Sequence, residues 1–96
     1  MLLHTLNARS PHDAFRDCLR TASQGDTIVL LGEGVYNALP GSEPRDALDN
    51  SPARVLALDS DVRAAGLQQV LEGIVQVDMG GLVALSEYYP RQLAWY

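Results

Sequence analysis

Two kinds of apolar run alternate along the chain. "MLLHTLN" is a short apolar stretch that suits a first strand, and "TIVLL" at 27–31 is an unbroken run of β-branched residues and leucine. A strand with no polar face is read as buried on both sides, the mark of a parallel sheet. "ARVLALD" and "GIVQVDM" supply a third and a fourth strand, and the tail "RQLAWY" a short edge strand. Between the first two strands the spacing becomes helical: Ala14, Phe15, Cys18, Leu19 and Ala22 draw one stripe.

Turn and cap residues punctuate these runs. Ser10 as N-cap, Pro11 at the first helical position and Asp13 three residues after the cap predict a helix running to about Gln24, ended by Gly25. "GEGVYNALPGSEPRDALDNSP" is rich in turn formers and holds short helices at Val35–Leu39 and around Pro44–Leu48. Asp59 or Ser60 caps a helix through "DVRAAG" that Gly66 ends, and Asp78 is a candidate cap for "GGLVALSEYY", which Pro90 stops. Strands alternate with helices, and no Asn-Gly hairpin separates neighbouring strands. The expected fold is therefore α/β, a mostly parallel sheet of four to five strands with helices on both faces. No repeat, linker or low-complexity segment divides residues 1–96, so one domain is expected.

Charge then narrows the function classes. The net charge is −5, from twelve acidic residues against seven arginines, and lysine is absent. The arginines are scattered rather than striped, which argues against direct nucleic-acid binding. Without lysine there is no Schiff-base chemistry, no P-loop and no phospho-receiver lysine. A single cysteine cannot close an internal disulfide, the N-terminus does not read as a signal peptide, and no apolar stretch is long enough to span a bilayer. A cytoplasmic protein is expected, with no membrane partner.

Cys18 is the candidate reactive residue. It lies near the middle of the apolar stripe, away from the helix N-terminus, with Arg16 and Arg20 on the other side, so local physics favours a buried thiol over a thiolate. No C-x-x-C is present, and an anion-cradling loop would need an arginine where Gln24 stands. One cysteine and two distant histidines do not make a metal site. His4, in a strand, reads as a structural group, and His12 as part of a solvated helical turn, a proton carrier only beside a nucleophile from a partner. "GEGVYN" follows a strand, where open α/β sheets bind ligands, but Asn37 replaces the third glycine of a dinucleotide loop and a tight turn is the plainer reading. Leu93, Trp95 and Tyr96 at the chain end either dock on the sheet edge or fill a partner's pocket; with the exposed edges of a small sheet they point to an oligomer.

"LHTLN" followed by "SP", then "GDTIVLLGEGVY", "VLALDSDVRAAGL", "VDMGGLVAL" and "LAW" occur in order along nearly the whole chain. In these the sequence resembles the DsrH/TusB family of small bacterial sulfur-relay subunits. The resemblance implies a flavodoxin-like α/β fold without a cofactor. It also implies assembly with TusC/DsrF-like and TusD/DsrE-like subunits in a heterohexamer, a dimer of heterotrimers, that serves a TusE/DsrC-like acceptor. In the TusBCD branch the complex supports 2-thiolation of the tRNA wobble uridine, with the working cysteine on the TusD chain. In the DsrEFH branch of sulfur oxidisers the DsrH chain commonly carries a cysteine in its first helix. Cys18, in "DCLRTA", sits at that position, so the resemblance makes it a candidate persulfide carrier where the helical stripe makes it a core residue.

Overall fold

All four residues of the strand Thr27–Leu30 are buried, and it lies in the interior of a five-stranded parallel sheet. The computed structural model describes residues 1–96. Its strands are β1 (Leu2–Leu6), β2 (Thr27–Leu30), β3 (Arg54–Leu58), β4 (Val75–Val77) and β5 (Arg91–Trp95), in the order β4-β3-β2-β1-β5. The crossovers hold α1 (Asp13–Thr21), a 3₁₀ segment (Gly32–Ala38), α2 (Glu43–Asp49), α3 (Asp59–Ala64) and α4 (Met79–Tyr88). This is the α/β, flavodoxin-like class read from the sequence, with helices on both faces and every strand pair parallel.

Strand order explains which face each helix takes. From β1 to β4 the chain steps in one direction, and right-handed crossovers place α1 to α3 on one face. β5 lies beyond β1, so α4 runs back across the sheet and the same handedness puts it on the other face. The core divides accordingly. Leu6, Ile28, Leu30 and Ala57 pack with Phe15, Cys18, Val35, Leu48 and Val62 in one cluster. Leu3, Val29 and Leu56 pack with Tyr89, Leu82 and Leu85 in a smaller one. The chain reverses its stepping between β1 and β5, and in such sheets ligands bind at the carboxyl ends of strands beside that point.

Several element ends differ from the sequence reading: the short helix expected at Val35–Leu39 is a 3₁₀ segment that starts at Gly32, inside the stretch read as a tight turn, and α1 and α3 differ as well. α1 begins at Asp13 with His12 as its cap, not Ser10: the Ser10 amide is held by Asn37 Oδ1 at 2.9 Å, and His12 Nδ1 accepts from the Ala14 amide at 3.1 Å. The helix also stops at Thr21 rather than near Gln24, because Ala22 is extended and Ser23 donates to the Asp26 carboxylate at 3.0 Å; Gly25 still makes the turn, with φ 92°. α3 has no side-chain cap: it starts at Asp59 itself with apolar Leu58 at the N-cap, so neither Asp59 nor Ser60 caps it, and Asp61 in its first turn accepts from the Gly32 amide at 2.8 Å. Asp78 does cap α4, accepting from Gly81 at 2.7 Å.

Candidate functional site

Cys18 is central to any chemistry of this chain, and the fold closes it in. The stripe Ala14, Phe15, Cys18, Leu19 and Ala22 faces the sheet, and Cys18 is 0% exposed within the larger core cluster. Burial pushes its thiol up to about 12. At neutral pH roughly one such thiol in 10⁵ is ionised, and the thiolate is the sulfur nucleophile. No cation opposes this effect. Arg16 points outward and pairs with Asp13 at 3.0 Å, and Arg20 is exposed. A groove of about 560 Å³ between α1 and α2 is lined by Phe15, Arg16, Leu19 and Arg20 but not by Cys18, and no other cavity reaches the sulfur.

A His–Asp pair lies under the other end of the sheet. His4 is fully buried, with Nε2 2.9 Å from Asp26 Oδ2 and Nδ1 accepting from the Trp95 indole N–H at 3.1 Å. Because indole can only donate, Nδ1 carries the lone pair and Nε2–H donates to the carboxylate. Burial of Asp26 disfavours its charge, but the His4 bond and the amides of Leu2 and Ser23 outweigh this, and the carboxyl is held below its ordinary value. Geometrically this resembles the base and orienting acid of a hydrolase. Chemically it is closed: both ring nitrogens are engaged and no nucleophile adjoins them. His4 is a structural link between β1, the turn before β2, and β5.

At the carboxyl ends of β1 and β2, where a ligand would bind, the loop amides are already occupied. Gly32 N donates to Asp61 Oδ2 at 2.8 Å and Glu33 N to Asn7 Oδ1 at 3.1 Å. A Cβ at Gly34 would collide with the Leu6 carbonyl, so this glycine serves close packing of backbone on backbone. The crevice above is bordered by the carboxylates of Glu33 and Asp61, with the Arg9 guanidinium stacked over the Tyr36 ring at 4.4 Å. Chain amides that would cradle a phosphate are spent on the chain's own oxygens, and the nearby cation, Arg9, lies 3.9 Å from the Glu33 carboxylate. His12, also near this end, is exposed and commits Nδ1 to the α1 cap. No three His, Cys, Asp or Glu side chains converge as a metal-binding group would.

The sequence-predicted residues are thus not brought together: Cys18 is in the helix-covered core, His4 inside the sheet edge, and His12 on the surface. Three buried polar residues that organise the loops escaped the sequence reading. Asn37, noted only as a missing glycine, accepts from Ser10 N and donates to Ala8 O, both at 2.9 Å. Asp26 gathers His4, Leu2 and Ser23. Arg45 donates to Ala38 O at 2.8 Å, to Asp49 at 3.0 Å and to Glu72 O. Their partners are distant in sequence, so no local pattern marks them; only Ser42, three residues before Arg45 and correctly placed to cap α2, carries a local signal.

Comparison with known proteins gives these features a context. Residues 9–92 match the family described as DsrH like protein. Protein TusB of Escherichia coli strain K12 and Protein TusB of Shigella flexneri are each 40% identical to this chain over 98% of its length and 100% of theirs. Among solved structures, the solution NMR structure of protein Tm0979 from Thermotoga maritima is similar with a TM-score of 0.69 and 26% identity, covering 92% of this chain and 93% of that one. The crystal structure of the ychN protein from E. coli has a TM-score of 0.73 at 11% identity, covering 98% and 97%, a likeness of fold alone.

Proposed function

The chain belongs to the DsrH-like family of sulfur-relay subunits, and from that premise we propose that it is a structural subunit of a cytoplasmic persulfide-transfer complex. Its partners are TusC/DsrF-like and TusD/DsrE-like chains in a heterohexamer, and the complex passes sulfur through a TusE/DsrC-like acceptor toward 2-thiolation of the tRNA wobble uridine. Full-length similarity to proteins named TusB supports the tRNA branch. The observation that carries the structural role is the burial of Cys18, whose thiol is pushed up to about 12 with no cation beside it. A relay cysteine must accept a sulfane sulfur as thiolate and then expose the persulfide to a second thiolate. The net charge of −5 also suits a protein that meets other proteins rather than tRNA.

The test is genetic complementation in the chain's own host. Deleting the chain should abolish wobble-uridine thiolation, and the Cys18→Ala variant should restore it. Retained thiolation after deletion would sink the reading; failure of a folded Cys18→Ala chain would transfer the working role to this sulfur. The second reading is a DsrH-like subunit of a sulfur-oxidation complex with Cys18 as persulfide carrier, favoured by the place of Cys18 in the first helix; on that reading thiolation survives deletion of the chain. It requires the mass of one extra, reductant-labile sulfur atom on Cys18 in the purified complex.

A further inference from the structure

α1 and α2 lie on the same face of the sheet, and the groove of about 560 Å³ between them is the largest cavity of the chain. Its apolar lining comes from Phe15 and Leu19 of α1 and Ala47 of α2, with Pro11 and Pro52 beside them. Arg16 and Arg20 each follow one of the two α1 apolar residues, so both guanidinium groups stand on the same flank, one helical turn apart. No carboxylate lines this groove. Each of the three other cavities has one: Glu33 and Asp61 in the first, Asp26 in the second, Glu33 in the third. In a chain with a net charge of −5, positive charge and apolar surface are therefore gathered in one place. Both cations are available. Arg20 makes no ion pair. The pair of Arg16 with Asp13 joins two side chains more than half exposed, a contact worth little that yields to a better partner.

We propose that this groove receives an amphipathic acidic helix of a partner protein, its apolar stripe on Phe15, Leu19 and Ala47 and two of its carboxylates on Arg16 and Arg20. Side chains four apart on a helix are about 6 Å apart, so the two arginines match carboxylates at i and i+4 of a helix lying along α1. A groove between two helices takes a third by its apolar stripe, and charges on the flank set its direction and register. The planar guanidinium fork suits a carboxylate better than an ammonium would. A nucleic acid does not fit, since two arginines on an acidic chain neutralise too few phosphates. Nor does a second copy of this chain. α1 carries Asp13 and Asp17 one turn apart but turns its apolar stripe to its own sheet. α4 is exposed and apolar but has a single carboxylate, Glu87, and α2 and α3 are no longer than about two turns.

This contact does not rest on the relay role, which thiolation judges separately. Fluorescence anisotropy with the full chain tests it, using a labelled peptide of alanine, leucine and glutamate. Its leucines stand at i, i+3 and i+7 and its glutamates at i+4 and i+8. The peptide should bind with a Kd on the order of 10 μM, and more weakly as salt is raised. The Arg16→Ser, Arg20→Ser double variant changes two exposed sites. It should keep its circular dichroism and Tm and bind the peptide about tenfold or more weaker. Arg63→Ser, on α3, should bind as the parent does. The same peptide with glutamine for glutamate should lose at least as much affinity as the double variant does. Equal binding of the glutamine peptide overturns the proposal, as does a double variant that binds the glutamate peptide unchanged. So does a failure to bind the glutamate peptide at all; arginine-dependent binding of 8-anilinonaphthalene-1-sulfonate would then assign the groove to a small organic anion.

Discussion

Trp95 donates its indole N–H to Nδ1 of His4 at 3.1 Å and so ties the last strand of the chain to the first. The rings are also stacked, with centroids 6.2 Å apart and planes inclined by 25°. β5 is an edge strand whose residues are exposed except for half-buried Trp95, so this contact is the main side-chain hold on it. Trp95→Phe removes the donor, leaves a buried ring nitrogen unpaired and should cost about 1–3 kcal/mol. Urea unfolding checks this, and hydrogen exchange should show β5 opening before β1 to β3.

Asp26 gives stability its acid limb. Its carboxyl is held below the ordinary value of 3.8 in the folded chain. A group depressed in this way contributes stability that is fully present above the unfolded-state value and is lost as pH falls through the folded-state value. Asp26→Asn should therefore lower stability at neutral pH and flatten its dependence on pH below about 4. An unchanged acid slope in denaturant titrations of the variant would assign that limb to other carboxylates.

Cys18 acts at the opposite end of the scale. Its thiol is raised from 9.0 to about 12 in the folded chain, so its contribution is present below pH 9 and is lost as pH rises toward 12. Native protein at pH 8 should resist iodoacetamide, and the urea-unfolded chain should react fully. Cys18→Ser should be less stable than Cys18→Ala by about 1–2 kcal/mol, since a hydroxyl in this apolar cluster has no partner.

Gly34 should tolerate no side chain. A Cβ there would meet the Leu6 carbonyl, a backbone atom of a central strand that cannot swing aside. Gly34→Ala should cost about 3 kcal/mol or more, an effect in the range reserved for steric conflict in the core. Gly41→Ala is the contrast: its Cβ has open space, and only its positive φ of 78° is strained. Thermal melts of the two variants should differ in that order.

Removing Tyr89's hydroxyl separates anchoring from packing on the α4 face. Tyr89→Phe keeps the ring among Leu3, Val29 and Leu56 but gives up the bonds to Thr27 and Gly25. A loss of about 1 kcal/mol in urea unfolding is expected, because Thr27 Oγ1 is then left buried without that partner.

Local pattern determines much of this protein. The unbroken run at 27–31 could only be an interior strand, the period of Ala14 to Ala22 places Cys18 on the buried side of α1, and Asp78 and Ser42 cap the helices they precede. These features depend on residues within a turn or two of each other, which is the range over which periodicity and capping act. Tertiary structure decided the rest. Ser10 yields the α1 cap to His12 because Asn37, 27 residues on, takes its amide. Neither Asp59 nor Ser60 caps α3, whose N-cap is Leu58, and Asp61 in its first turn holds Gly32, 29 residues back. His4 is a structural link because Asp26 and Trp95, 22 and 91 residues away, take its two nitrogens. The remote bonds of His4 and Ser10 are buried or partly buried, where a hydrogen bond shielded from water holds better than one competing with it.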